Sequence, residues 1–382
     1  MSPILNTSNT HLNKMLRKLL SLNTLMSTSS TQVQEQKGEG AFRNIGAGAC
    51  GAIFAREGVQ IALKLAKFPG SDLWNDYIMH MLISSQIERY NVEVMVPEVH
   101  FFVRKEDSEF FDGLPDLREA AQDVCNLPTD ILVSERIPPL PQVTRTLLTD
   151  KYCAPTNVMA ALDDRANEDC LVRPYLGSSE GRSGGMFFSL RNFELHLNQM
   201  LELRLDVEDM ASRMAKTLAV MHWAAGTDAR DVEFVLGSSR EESLLSEGRR
   251  PYTRAISLRE QNFSCRKADL WLLDFNQVRP ITMVKAGVAQ AVQAMGVNDP
   301  YFPKPLQESS AARKVWVRFA KSYLDASKII LKAEPLRIQR LPFLFIWGLY
   351  QQQQQTKKEK PGVNAPNNHL LLKALFRRED SK

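Results

Sequence analysis

The alternation of apolar and polar positions changes character along the chain. From residue 41 to 66 its period is two: short apolar runs at 41–46, 52–56 and 60–66 are separated by glycine-containing turns, the pattern of a strand meander. Residues 73–90 change to a helical period, with Trp74, Tyr77, Ile78, Met81 and Leu82 on one side of the expected helix. Strand-like runs at 99–103 and 130–137 follow. The second stops at Pro138-Pro139-Leu140-Pro141, which no strand or helix continues through. Beyond that break helical spacing dominates. Val207, Met210, Met214, Leu218 and Met221 share one face over 207–223, and helical patterns return at 283–295, 311–331 and 341–350. Residues 270–275 read as a short apolar strand. The expected fold class is α+β, with a small β-rich lobe at 41–137, a proline hinge at 138–142 and a larger helical lobe at 143–350.

The flanks carry weaker patterns. Residues 1–40 are rich in Ser, Thr, Asn and Gln and read as a flexible leader, although Leu12, Met15, Leu16, Leu19 and Leu20 form an amphipathic piece. Residues 237–267 are polar and rich in Gly, Ser and Arg, which predicts an inserted loop. Residues 351–382 hold a short glutamine run and a basic tail. With 44% hydrophobic and 24% charged residues among 382, the chain is neither fibrous nor wholly disordered. Its net charge of +4 is unevenly spread: residues 1–34 carry +3 and 356–382 carry +4, leaving −3 for the rest. A nucleic-acid-binding body is normally the basic part, so the charge map argues against nucleic acid as a partner of the folded core. Five scattered cysteines lack the spacing of zinc ligands, so no zinc is expected, and they point to a reducing compartment, cytoplasm or nucleus. No apolar stretch is long enough to span a bilayer.

Four local patterns carry candidate chemistry. Gly46-Ala47-Gly48-Ala49-Cys50-Gly51 is a G-x-G-x-x-G run with strands on both sides; such glycines let a backbone approach phosphates closely. Ile61-Ala62-Leu63-Lys64-Leu65 sets a lysine in an apolar strand, where its ammonium needs an anion or water. Asp228-Ala229-Arg230-Asp231-Val232-Glu233 leads into the short apolar run Phe234-Val235-Leu236. Leu270-Trp271-Leu272-Leu273-Asp274-Phe275-Asn276 ends an apolar strand in an acid, which a cation would satisfy.

In this order the four pieces resemble the protein-kinase-like phosphotransferase superfamily, including its aminoglycoside and choline kinase branch. More narrowly, Leu73-Trp74-Asn75-Asp76-Tyr77, His222-Trp223, 231–237 and Leu272-Leu273-Asp274-Phe275-Asn276 look like a fungal kinase-like family of unknown function, often labelled zinc finger protein. The resemblance covers about residues 41–335. It implies a two-lobed kinase-like fold that binds ATP and magnesium. Gly46, Gly48, Gly51 and Lys64 would hold the phosphates, and backbone groups near Glu135 the adenine. Asp274 and Glu233 would hold the metal, Asp228 would orient an acceptor hydroxyl, and Arg230 would contact the transferred phosphate. The carboxylate pairing with Lys64 is either Glu88, on the apolar side of the 73–90 helix, or Asp76, nearly opposite but inside the family-like Trp-Asn-Asp-Tyr run.

The departures are informative. Glu233 stands where an Asn is usual and Asn276 where a Gly is usual; no H-R-D triplet or A-P-E motif is present. These weaken a protein-kinase reading. They leave a phosphotransferase acting on a small molecule or protein, or a non-catalytic kinase-like scaffold, with a nucleic-acid-associated regulator as the disfavoured third reading. The acceptor is not written in the sequence.

Overall fold

A computed structural model describes residues 9–22, 40–48, 50–68, 72–184, 188–239 and 268–359. Most of the expected insertion, residues 240–267, lies outside the described residues, as does the tail from 360. The described chain is mixed α+β, with two sheets and several helices.

Helix α1 (Asn9–Leu20) corrects the reading of residues 1–40 as a flexible leader. Its Leu12, Leu16, Leu19 and Leu20 are buried in the main core. The i, i+4, i+7, i+8 stripe was visible in the sequence, but the polar flanks outweighed it.

The meander folds as β1 (Arg43–Ala47), β2 (Gly51–Ala55) and β3 (Ile61–Ala66). Helix α2 (Leu73–Arg89) follows, then β4 (Val99–Val103), short helices α3 (Ser108–Asp112) and α4 (Pro115–Ala121), and β5 (Ile131–Glu135). The strands form one antiparallel sheet of order β1-β2-β3-β5-β4. Alternation along β3 sorts its side chains. Leu63 and Leu65 join Phe54, Val133, Phe111 and Leu117 in a core under α3 and α4. Lys64 points to the opposite face, in a cross-strand row with Ile53 and Leu132.

α2 packs on that second face with a side the sequence pattern did not select. It buries Leu73, Asp76, His80, Ile83 and Ile87, while Trp74, Ile78, Met81 and Leu82 are exposed. The helix is apolar on two opposite sides, so periodicity alone could not orient it. Burial of Ile83 and Ile87 contributes about 1.5–3 kcal/mol each.

The second half is not purely helical, which corrects the expectation of a helical lobe. After α5 (Gln142–Tyr152) and α6 (Val158–Asp163) come β6 (Val172–Tyr175), β7 (Phe193–His196), α7 (Leu197–Glu202), α8 (Val207–Trp223), β8 (Glu233–Ser238) and β9 (Ala268–Leu273). The strands form a four-stranded sheet of order β7-β6-β8-β9, with β6 and β7 parallel. β6 and β7 span four residues each, and β6 contains Pro174, so neither shows a strand pattern in sequence. α8 starts at Asp206, whose carboxylate accepts the Asp209 N–H at 2.9 Å, a cap worth about 1 kcal/mol. Almost wholly buried, it packs along α10 (Ser310–Ile330), which follows α9 (Lys285–Val297). After α11 (Leu336–Gln339), helix α12 (Leu341–Glu359) runs on through the glutamine run, expected to lie beyond the folded lobe; there Gln353 accepts the Leu306 N–H at 2.8 Å.

Candidate functional site

A cleft opens between the β1–β2 hairpin and the ends of β8 and β9. Gly46, Gly48 and Gly51 line its roof. The Gly48 N–H donates to the Gly51 carbonyl at 2.9 Å, closing the hairpin. Gly51 is closely packed: a Cβ there would stand 3.1 Å from both the Leu65 carbonyl oxygen and Lys64 Cγ. Its bare backbone lets the Lys64 stem cross β2 into the cleft.

Lys64 Nζ donates to Asp76 Oδ2 at 2.6 Å and to Asp274 Oδ1 at 2.8 Å. Of the two candidate partners, Asp76 makes the pair; Glu88 is exposed on the far side of α2. Burial alone would lower the Lys64 pKa, but the two carboxylates outweigh it and hold the ammonium above its ordinary range. α2 also grips the segment after β9. Asp76 Oδ1 accepts the Phe275 N–H at 3.0 Å, and Asn75 Nδ2 donates to the carbonyls of Asn276 and Val278, both at 2.9 Å. The Trp74–Tyr77 and Asp274–Asn276 motifs, 200 or so residues apart in sequence, are thus one hydrogen-bonded unit. His80, its ring tilted against Phe275 with centroids 4.8 Å apart, backs this unit; burial lowers its pKa against the pull of Asp76.

The β8–β9 register pairs Glu233 with Leu273, which brings Glu233 beside Asp274 at the floor of the cleft. Glu233 accepts from Arg173 Nη2, on β6, at 2.6 Å. Burial pushes the Glu233 carboxyl up to about 7; Arg173 opposes this, and Asp274 and Asp231 add to it. Asp231 also lines the cleft, with its pKa raised by burial and by Asp274. Its carboxylate takes the amide of Gln277, and its N–H donates to Asn298 Oδ1 at 2.6 Å. Ala229, Asp231 and Asp274 have φ of +52°, +61° and +66°, left-handed values that side chains other than Gly rarely adopt. Such strain persists where surrounding contacts impose it, and it concentrates at working sites.

Asp228 stands elsewhere than the motif implied. It is buried, outside the cleft lining, and accepts four hydrogen bonds beside an ion pair with Arg279. Oδ1 takes the N–H groups of Arg230 and Arg279 at 3.1 and 3.0 Å, Oδ2 takes Arg279 Nε and Gln290 Nε2, each at 2.9 Å, and Arg279 Nη2 stands 2.9 Å from Oδ2 as an ion pair. It staples residues 228–230 to 279–290 and presents nothing to a substrate. Arg230 likewise does not line the cleft; its Nε donates to Gln277 at 3.2 Å. Asp231, not Asp228, lines the cleft. It and Glu233 are two apart at the head of β8, the spacing that sets side chains on one face, and that was the available signal for it.

Glu135 lines the other end of the cleft with Ile45, Ile53, Ala62, Leu132 and Ile137. Its N–H donates to the Glu98 carbonyl at 2.7 Å and its Oε2 accepts the Glu98 N–H at 3.0 Å, tying the end of β5 to the entry of β4. One further group, unseen in sequence, closes this wall. Asp169 binds Arg43, through Oδ1 at 2.8 Å from Nη2, and Arg136 at 2.7 Å, joining β1 to the residue after β5.

A family described as "Zinc finger protein" matches residues 270–335, and no curated protein matches the chain. This overturns the resemblance to a kinase-like family: the match carries no kinase-like description and spans a minority of the chain. The motifs behind that resemblance are short, and runs such as G-x-G-x-x-G recur in unrelated strand–turn–strand settings. Residues 270–335 contain neither Cys nor His, the principal zinc ligands. Among the described residues no group of three or more His, Cys, Asp or Glu could hold a metal ion, so they do not fit a zinc site. Cys50, Cys125, Cys153 and Cys170 are free thiols, and Cys265 lies outside the described residues. No described helix is long and apolar enough to cross a membrane.

Proposed function

We propose that the cleft binds a nucleoside triphosphate with magnesium and passes its terminal phosphate to a hydroxyl group. The observation that carries this is Lys64 held between Asp76 and Asp274 beneath a glycine hairpin. A buried ammonium with two carboxylates, next to Asp231 and Glu233, leaves the floor short of positive charge. A hydrated cation bringing phosphate oxygens supplies it. Asp274 and Glu233 would hold the ion, with waters and phosphate oxygens completing the shell that magnesium favours. When bound, magnesium would neutralise phosphate charge.

The remaining work falls to the chain. The glycine hairpin would let the phosphates approach its bare backbone, and Lys64 would offer its ammonium to them. The apolar end lined by Ile45, Ile53, Ala62, Leu132 and Ile137 would take the base. Asp231 would accept the proton of the acceptor hydroxyl, whose oxygen bonds to the γ-phosphorus. The bond from that phosphorus to the β–γ bridging oxygen breaks, and the nucleoside diphosphate leaves with the electron pair. The raised pKa of Asp231 makes it a better proton acceptor than an ordinary aspartate. A two-lobed, kinase-like division at the hinge, with the cleft between lobes, is part of this proposal. Nucleotide-dependent thermal stabilisation of the full chain is the first test; no shift with magnesium-ATP at millimolar concentration would end the reading.

One observation favours a second reading, a nucleotide-binding scaffold without transfer. Asp228, the motif's hydroxyl-orienting residue, is consumed by Arg279 and Gln290. Under that reading Asp231→Asn leaves function intact; under the first it abolishes transfer while nucleotide still binds.

A further inference from the structure

Asn276 is 5% exposed and lines the cleft, yet its side-chain Oδ1 has no hydrogen-bond partner. Its main-chain carbonyl is fixed by Asn75 Nδ2 at 2.9 Å, so the residue is anchored to the N-terminal turn of α2. A buried acceptor without a donor is unfavourable, and native structures rarely keep one unless something else completes it. Its surroundings say what that is. Asp274 is two residues away, and Asp231 and Glu233 line the same cleft. A further carboxylate there would add repulsion, whereas an amide oxygen adds a ligand and no charge. Hard divalent cations take both kinds of oxygen.

We propose that Asn276 Oδ1 is an oxygen ligand of the divalent cation that accompanies the nucleotide; this rests on the nucleotide reading above. Asp274 and Asn276, at i and i+2 on the segment that α2 grips, then act as one ligating unit. α2 thereby couples the cation to Lys64 through Asp76.

The test is thermal unfolding of the full chain with ATP while Mg2+ is titrated, alongside ATP binding in EDTA. In Asn276→Leu the Mg2+ concentration giving half of the ATP-dependent rise in Tm should increase about tenfold, with ATP affinity in EDTA unchanged. The empty Asn276→Leu protein should melt higher than wild type, because the orphan acceptor is gone. Asn276→Asp keeps an oxygen in place and should need no more Mg2+ than wild type. If wild type responds to magnesium-ATP but the leucine variant keeps the wild-type half-point, the cation role is overturned and the nucleotide reading stands. The same follows if Asn276→Asp raises the half-point as much as leucine does. If wild type shows no response at any Mg2+ concentration, the nucleotide reading fails and this proposal with it.

Discussion

Replacing Asp76 by alanine should cost about 3–5 kcal/mol of folding stability, the range for removing one partner from a buried ion pair. The Asp76 side chain is 3% exposed and Lys64's is 17% exposed, so water replaces the lost carboxylate at the ammonium only in part. Two bonds go at once: Lys64 Nζ at 2.6 Å and the Phe275 N–H at 3.0 Å. Asp274 remains at 2.8 Å but is 29% exposed, which softens the loss and favours the lower end of the range. Asp76→Asn retains the volume and an oxygen for Phe275, and should recover about 1 kcal/mol. Lys64→Met removes the stranded charge, so the double variant should be less destabilised than the sum of singles by about 1–3 kcal/mol. Urea midpoints read by tryptophan fluorescence suffice, since Trp271 is fully buried. An Asp76→Ala cost below about 1 kcal/mol, or singles that add within about 0.5 kcal/mol, would refute a coupled buried triad.

Asp228 and Asp231 should part company: Asp228→Ala should lower Tm sharply through loss of its four hydrogen bonds and its ion pair, while Asp231→Asn should keep Tm within a few degrees and lose phosphate transfer to any acceptor identified. His222, fully buried against Tyr323, has its pKa lowered to about 3 by burial, which outweighs the Asp228 carboxylate and carbonyl. The folded state therefore resists a proton that the unfolded state takes near 6.5; the stabilisation is complete above that value and is lost as pH falls toward 3. Between pH 7 and 5 this amounts to about 2 kcal/mol, a slope that denaturation midpoints should show for wild type and that His222→Gln should flatten. A Cβ on Gly287 would fall 2.0 Å from the Thr282 carbonyl oxygen, whereas none lies within 4 Å at Gly48. Gly287→Ala should cost about 3 kcal/mol or more, and Gly48→Ala within about 0.5 kcal/mol, by the same denaturation assay.

The elements that sequence patterning located best are those with a single dominant period. The helix expected over 207–223 is α8 with the same bounds, and β2, β3 and β5 fall within two or three residues of the expected runs. Patterning failed where two signals compete. α2 is apolar on opposite sides, so periodicity selects the more hydrophobic one as the core face and leaves Glu88 beside Asp76 as a candidate partner for Lys64. β6 and β7 are too short to show a period, and Arg173 on β6 went unnoticed with them. At the site, Lys64, Asp274 and Glu233 were legible as isolated charges at apolar strand positions. The roles of Asp228 and Asp231 were not, because a three-residue displacement within one loop decides which faces the cleft, and backbone angles such as φ +61° at Asp231 leave no mark in composition.

The most direct measurement is a crystal structure of the full chain with magnesium and a non-hydrolysable ATP analogue. Triphosphate density between the Gly46–Gly51 hairpin and Lys64, with the ion against Asp274, is the predicted result. Nucleotide bound elsewhere, or a cleft that stays closed by the Lys64–Asp274 pair at saturating analogue, would contradict the account.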